Sequence, residues 1–516
     1  MITTKMSRRR LLGAGAAALC TPMLVRRAMA DVPALRVAFG KDRYNMDDKN
    51  FTFTLRGPST GIAEGVVAPG GDYFPVPNLF VRWTVADGLY RADIRPGVTF
   101  HDGTPLDAAA MVKSLAYVTQ SFIGLDQASV KATGPMSLEF RSKSGSLLMI
   151  ENMAHRMGAI FDTAVDRKVR PTGTGPYKFV RYEPQVSIEV ERNEAYWGSK
   201  PRNQRVLYRF VPDSQARLIA LLKGEIDIIG EADPQLLLSL PPDGKYEVHT
   251  SRPVQYVALL VNIHGEAPFA KLQDRRLREA IAYAIDREAI ARVMFLGKGV
   301  PAKGILPGWM FGLGDDSVTG FGYDRAKAES LLDQAGWTRS GDGTRQKGGE
   351  ALRIRLVAAY PYVSWVKPMP EMLQQMLKAV GIDVELVETD DDGVYYDQYM
   401  KRGQADLFME IASNNNSDPT YLLYNLYHSR SAWLDDGYKY TVVGPEFDRA
   451  LDRARATTDR AVIVAEVRKA HRLLIDEVIA TIPILMTPNF AVSRPGITVP
   501  MFEHRDYIPW GDAVLA

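Results

Sequence analysis

The chain has 516 residues, 46% of them hydrophobic and 24% charged, enough apolar material for more than one core and no bias toward disorder. Its 63 basic and 61 acidic residues leave a formal charge of +2, too balanced for a protein built to bind nucleic acid or anionic membranes. The single cysteine, Cys20, excludes an internal disulfide and makes a cysteine-based metal site unworkable.

Residues 1–30 read as an export signal. S-R-R-R-L-L-G at 7–13 is a twin-arginine pattern, 14–25 is an apolar run too short to span a bilayer, and Ala28-Met29-Ala30 is an A-x-A cleavage site. Leu19 precedes Cys20 where a lipid-anchored signal needs a small residue. This segment holds six basic residues and no acid, so the rest of the chain carries 57 bases against 61 acids and no thiol. The expectation is a protein cleaved near Ala30 and released into the periplasm, without direct membrane insertion.

Beyond the signal, helical and extended patterns alternate. Residues 35–39 form an apolar run suited to a buried strand. Residues 89–94 read as a strand, Pro96-Gly97 and Asp102-Gly103 as turns, and 106–117 as a helix that Asp107 caps. Strands are predicted at 175–180 and 186–191, a helix at 214–222 near Asp213, and a strand at 226–229. Helices follow at 277–294 and 324–335, the latter stopped by Gly336. Then come a strand at 352–358, a helix at 369–380, strands at 382–387 and 407–411, a helix at 462–478 and an extended segment at 482–487. Such alternation argues for α/β lobes with mixed sheets.

No catalytic constellation is visible: G-x-S-x-G, H-E-x-x-H and S-x-x-K with its companions are all missing. The seven histidines are dispersed, no two at the i, i+4 spacing of a helical metal pair, so no resident metal or cofactor is expected. Thr172-Gly173-Thr174-Gly175-Pro176-Tyr177 is a glycine turn feeding a strand and lacks the complete pattern of a phosphate loop. The polar run S-N-N-N-S-D-P-T-Y at 413–421 follows a strand, where clefts between α/β lobes are lined. Trp309, Tyr421 and Trp433 stand in Gly-, Pro- and Asp-rich surroundings and are suited to stacking on a trapped ligand.

Several strings carry a family resemblance. V-A-D-G-L-Y-R-A-D-I-R-P-G-V-T-F-H-D-G-T-P-L at 85–106 resembles the signature of family 5 extracellular solute-binding proteins, the peptide, nickel and opine receptors of ABC importers. T-G-T-G-P-Y at 172–177, E-R-N-E-A-Y-W-G at 191–198, K-G-E-I-D at 223–227, D-R-R-L-R-E-A-I-A-Y-A-I-D-R at 274–287 and Y-D-R-A-K-A-E-S-L-L-D-Q-A-G-W at 323–337 follow in the family's order. The resemblance covers nearly all of residues 35–490.

It implies a bilobal periplasmic-binding-protein type II fold, α/β with an extra subdomain. Lobe I would comprise 31–60, 170–252 and 483–516, the subdomain 61–169, and lobe II 253–482, with crossings near 255–262 and 482–489. It implies a monomer that captures an oligopeptide or modified peptide and serves an inner-membrane permease with a cytoplasmic ATPase. It places the loop before Asp418-Pro419 in the ligand cleft, so that the candidate ligand residues are Asn414, Asn415, Asn416 and Asp418, joined by the aromatic candidates Tyr421, Trp309 and Trp433. Asn415 occupies the position where peptide receptors of the family carry the aspartate that pairs with a ligand's amino group. A neutral amide cannot make that charge-assisted bond, which leaves Asp418 or another acid to substitute. The segment 41–61 also departs from the family and implies a reshaped pocket wall. A nickel chelate, with His428 near the loop, and an opine or sugar remain as alternative ligands. A secreted hydrolase using paired carboxylates, and a solute-sensing or chaperone domain, are the alternatives from other classes.

Overall fold

Asp227, the acid of the K-G-E-I-D string, ties down one edge of the first strand. It accepts hydrogen bonds from the Arg36 backbone N–H and guanidinium at 2.7–2.9 Å, and Arg494 lies 3.0 Å from the same carboxylate. The computed structural model describes residues 34–42, 60–118, 123–155, 158–165, 170–242, 244–359, 364–391, 393–414, 416–499, 511 and 513–515. The export segment, most of 41–61, and Asn415 lie outside them.

Strand Leu35–Phe39 sits within a seven-stranded sheet. It pairs in parallel with Arg205–Phe210 and Ile228–Ile229, while Tyr177–Glu183, Ser187–Arg192, Phe490–Ser493 and Glu247–Thr250 complete the order on either side. A second, six-stranded sheet is centred on Gln255–Val261, which is buried throughout and antiparallel to both Thr481–Thr487 and Leu407–Ala412. Arg353–Ala359 and Asp383–Thr389 extend it in parallel. A separate four-stranded sheet of Phe80–Ala86, Leu89–Ile94, Ser137–Ser142 and Leu125–Gly134 packs on helix Ala108–Leu115 around its own apolar cluster. The architecture is α/β and bilobal, as the alternation and the resemblance implied.

The chain passes between the two large sheets twice, between Thr250 and Gln255 and again between Thr487 and Phe490. The two crossings are bonded to each other. Ser251 N donates to Asn489 O at 3.0 Å, Asn489 N donates to Ser251 Oγ at 2.9 Å, and Val254 N donates to Thr487 O at 3.3 Å.

The motifs turn out to be joints. His101 of H-D-G-T-P and the T-G-T-G-P-Y turn interlock: His101 N donates to Gly173 O at 3.0 Å, and His101 Nε2 lies 3.0 Å from Gly175 O. Burial lowers the His101 pKa to about 4, so a neutral ring donates from Nε2. A Cβ on Gly173 or Gly175 would come within 2.1 Å of the Ile62 or Gly61 carbonyl oxygen, which is why only glycine fits there. Buried Glu64 accepts from Thr174 Oγ1, Tyr196 Oη and Trp197 Nε1, closing the corner that R-N-E-A-Y-W-G begins.

Two long helices are shorter than their periodicity predicts. Residues 277–294 fall in two helices, Arg275–Ala284 and Arg287–Phe295, because Asp286 leaves helical geometry and accepts from Ala289 N as a new cap. Buried Arg287 donates to the carbonyls of Ala282, Ile285, Phe321 and Pro483, satisfying groups that the break would otherwise strand. Residues 462–478 form helix Arg460–Arg472 followed by a π-helical turn, Leu473–Val478. Arg287→Ala is expected to lower unfolding free energy by about 3 kcal/mol, read by urea denaturation, because buried carbonyls lose their donor. An unchanged midpoint would rule out this role for the guanidinium.

Candidate ligand cleft

The polar run after strand Leu407–Ala412 does not face open solvent. It docks on helix Met149–Met153, which belongs to the four-stranded unit. Asn152 Nδ2 donates to Asp418 Oδ2 at 2.9 Å, and Asn416 Nδ2 donates to Asn152 Oδ1 at 2.8 Å. Ser417 N donates to the Glu151 carbonyl at 3.0 Å, and Leu147 N to the Arg455 carbonyl at 2.8 Å. Asp418 Oδ1 also accepts from Thr420 N and Oγ1, and Arg455 Nη1 lies 3.7 Å from Oδ2. Asn414, Asn416 and Asp418 are all buried in this seam, Asn414 donating to the Asn416 carbonyl.

A second contact is aromatic. Tyr73 and Phe74 lie edge-on to Trp309 and Phe311, with centroids at 5.3 Å for Tyr73–Trp309 and for Phe74–Phe311. Phe311 takes a left-handed backbone, φ 56°, and its N–H donates to Asp72 O at 2.7 Å. The guanidinium carbons of Arg252 and Arg460 lie 5.2 Å and 4.5 Å from the Trp309 and Phe74 ring centroids. Trp309 also lines a cavity of about 360 Å³ beside the crossings, with Pro253, Val300, Lys303, Ser317 and Met486. Its buried Nε1 has no hydrogen-bond partner among the described residues.

Two lobes thus meet through aromatic and polar side chains beside a paired crossing. The family model for bacterial extracellular solute-binding proteins, family 5, matches residues 75–433. The chain belongs to that family. It is 26% identical over 330 residues to the dipeptide-binding protein of Escherichia coli, covering 63% of this chain and 57% of that protein's length. It is 26% identical over 460 residues to the nickel-binding periplasmic protein of the same organism, covering 84% and 85%. The crystal structure of NikA from Brucella suis with Fe(III)-EDTA superposes with a TM-score of 0.80 at 22% identity, covering 94% of this chain and all of the other.

Within this solute-binding protein the predicted ligand residues fall in three places. Asn414, Asn416 and Asp418 lie in the seam, and Asn415 lies outside the described residues. Trp309 borders the crossing cavity. Tyr421 and Trp433 form an edge-to-face pair with each other, centroids 5.9 Å apart. His428 is fully buried and stacks on Tyr424 at 4.2 Å.

Reading the sequence missed Asn152, Glu151, Tyr73, Tyr256 and Glu410. Only Glu410 left a trace there, as a charge in an otherwise apolar strand. Among the described residues, no group of three or more His, Cys, Asp or Glu is placed to hold a metal, and no helix is long and apolar enough to cross a membrane.

Burial drives the Glu151 carboxyl up to about 8, helped by the neighbouring Asp418 and opposed by Arg460. An acid whose folded pKa lies above its unfolded value stabilises the fold fully below the unfolded one and loses that contribution as pH rises through the folded one. Stability is therefore expected to fall between about pH 4.5 and 8, and Glu151→Gln to flatten that part of the curve. Thermal melts across this range check it; parallel curves for the two proteins would contradict the assignment.

Proposed function

We propose that this protein captures an oligopeptide or modified peptide between its lobes in the periplasm and delivers it, as a monomer, to an inner-membrane ABC permease driven by a cytoplasmic ATPase. The observation that carries this reading is the clamp. The two large sheets are joined through a bonded pair of short crossings, and Tyr73 and Phe74 close on Trp309 and Phe311. Such an arrangement converts solute binding into hinge closure, a shape that a permease can read. Membership of a solute-binding family, and likeness to the dipeptide-binding protein, support the peptide class. A metal chelate is the second reading, favoured by the nickel-binding protein's match over 84% of the chain.

We further infer lobe I from residues 31–60, 170–252 and 483–516, a subdomain from 61–169 and lobe II from 253–482. The twin-arginine segment supports export and cleavage near Ala30. The protein acts by binding, without a catalytic step.

Native mass spectrometry of protein taken from its own cell envelope, followed by denaturation, is expected to release a peptide-class solute. Trp309→Ala is expected to weaken rebinding of that solute about tenfold, the loss typical of an interfacial tryptophan. Release of nothing, with no binding across peptide and chelate panels by calorimetry, would overturn the reading.

A further inference from the structure

The four-stranded unit is fastened to the seven-stranded sheet. Glu64 and His101 adjoin Val66 and Phe100 of that unit's apolar cluster. Glu64 accepts from Thr174, Tyr196 and Trp197, and His101 is bonded to Gly173 and Gly175. Lys178, within strand Tyr177–Glu183, donates to His101 O at 3.0 Å. Residues 413–421 instead continue strand Leu407–Ala412 of the six-stranded sheet, and Arg455 ends helix Pro445–Arg455 beyond them. The seam between helix Met149–Met153 and this loop therefore ties together parts that stand on opposite sides of the paired crossings. Rotation about the crossings has to part Asn152 from Asp418.

Each half of the seam is held in shape by its own stretch of chain. Asp418 Oδ1 accepts from Thr420 N at 2.7 Å and Thr420 Oγ1 at 2.6 Å, and Asp418 N donates to Asn416 Oδ1 at 3.0 Å. Asn152 Nδ2 also donates to Leu148 O at 3.1 Å, one helical turn back. Halves ordered in advance lose little freedom when they meet. The bonds that cross are polar: Asn152 to Asp418, Asn416 to Asn152, Ser417 N to Glu151 O and Leu147 N to Arg455 O. Asn414 Oδ1, Ser417 Oγ and Glu151 Oε2 are buried beside them with no hydrogen-bond partner among the described residues. Parting the seam would return those atoms to water. Bonds gained on contact are thus offset by groups stripped of solvent, which keeps the joined and parted arrangements close in free energy.

We propose that this seam is a reversible latch, in which Asn152, gripped by Asp418 and Asn416, holds the lobes closed. This rests on the solute-capture reading and adds a control on its affinity. Asn152, Asn416 and Asp418 are 3%, 0% and 0% exposed, so the latch acts through lobe position and not through contact with a solute. Its bonds join the chain to itself, so it works before any solute arrives. A solute held by the closed form then gains affinity in proportion to the closed fraction, whatever its chemistry.

The test is small-angle X-ray scattering of the solute-free full-length protein, for wild type, Asn152→Asp and the double variant Asn152→Asp/Asp418→Asn. Asn152→Asp sets a second carboxylate against Asp418 Oδ2 in place of the donor, and is expected to enlarge the radius of gyration. Adding Asp418→Asn supplies an amide that donates back across the seam, and is expected to restore the wild-type radius. Rescue by the exchanged pair is a result that lost packing alone does not give. For every solute that binds, release from Asn152→Asp is expected to be faster by the same factor, about tenfold or more, the loss of a charged hydrogen bond. Far-UV circular dichroism certifies the fold at the measuring temperature. If Asn152→Asp does not fold, Asn152→Ala, which removes both bonds without adding charge, is compared with wild type in its place. The latch is overturned if the folded single variant is as compact as wild type, even with a lower melting temperature, since the seam is then fixed packing. It is equally overturned if the double variant stays as expanded as the single one. Scattering needs no solute, so a failure to bind any peptide or chelate would sink the capture reading and leave the latch result standing.

Discussion

Strand Gln255–Val261 lies between Thr481–Thr487 and Leu407–Ala412, and the rest of the molecule depends on that placement. Because the outer two run antiparallel to it, both passages of the chain toward the first sheet leave from the same end. Ser251 and Asn489 then bond across the gap, so the two crossings bend as one unit. The cavity beside Trp309, the aromatic contact with Tyr73 and the Asn152 seam are all positioned by it.

Polar groups do much of the joining elsewhere, through partners drawn from several parts of the chain. Glu64 collects three donors from the T-G-T-G-P-Y and Y-W-G strings, and Asp227 collects Arg36 and Arg494. Arg287 spans four carbonyls from three parts of the chain. Left unpaired, each would cost more than it contributes, so these bonds select one arrangement of the lobes over compact alternatives. The strings that mark the family are thus mainly joints, and a shared frame is compatible with relatives named for different ligands.

Beside strand Leu407–Ala412 the rings of Tyr395, Tyr396, Tyr438 and Trp433 pack in sequence, large surfaces with few rotatable bonds. The seam with helix Met149–Met153 sits beside it, and its amides and carboxylate are occupied with one another.

Much of the frame is legible from local order. The helix Ser214–Leu222 with its Asp213 cap, the Asp107 cap, the Gly336 stop and the strand Leu35–Phe39 each depend on contacts within a few residues, so pattern and cap chemistry suffice. The break at Asp286 was hidden because aspartate fits a helix surface as readily as a cap; Arg287's reach to Phe321 and Pro483 decided it. Composition marked 413–421 as polar but could not name Asn152, 264 residues away from Asn416, as its partner. Residues 407–411 were legible as a strand, yet only its register put Tyr256 diagonally beside Glu410. The sequence by itself determined elements, caps, joints and family, because those rest on neighbouring residues or on strings read in order. Tertiary structure alone decided which polar groups are consumed in packing, because that depends on partners brought together from across the chain.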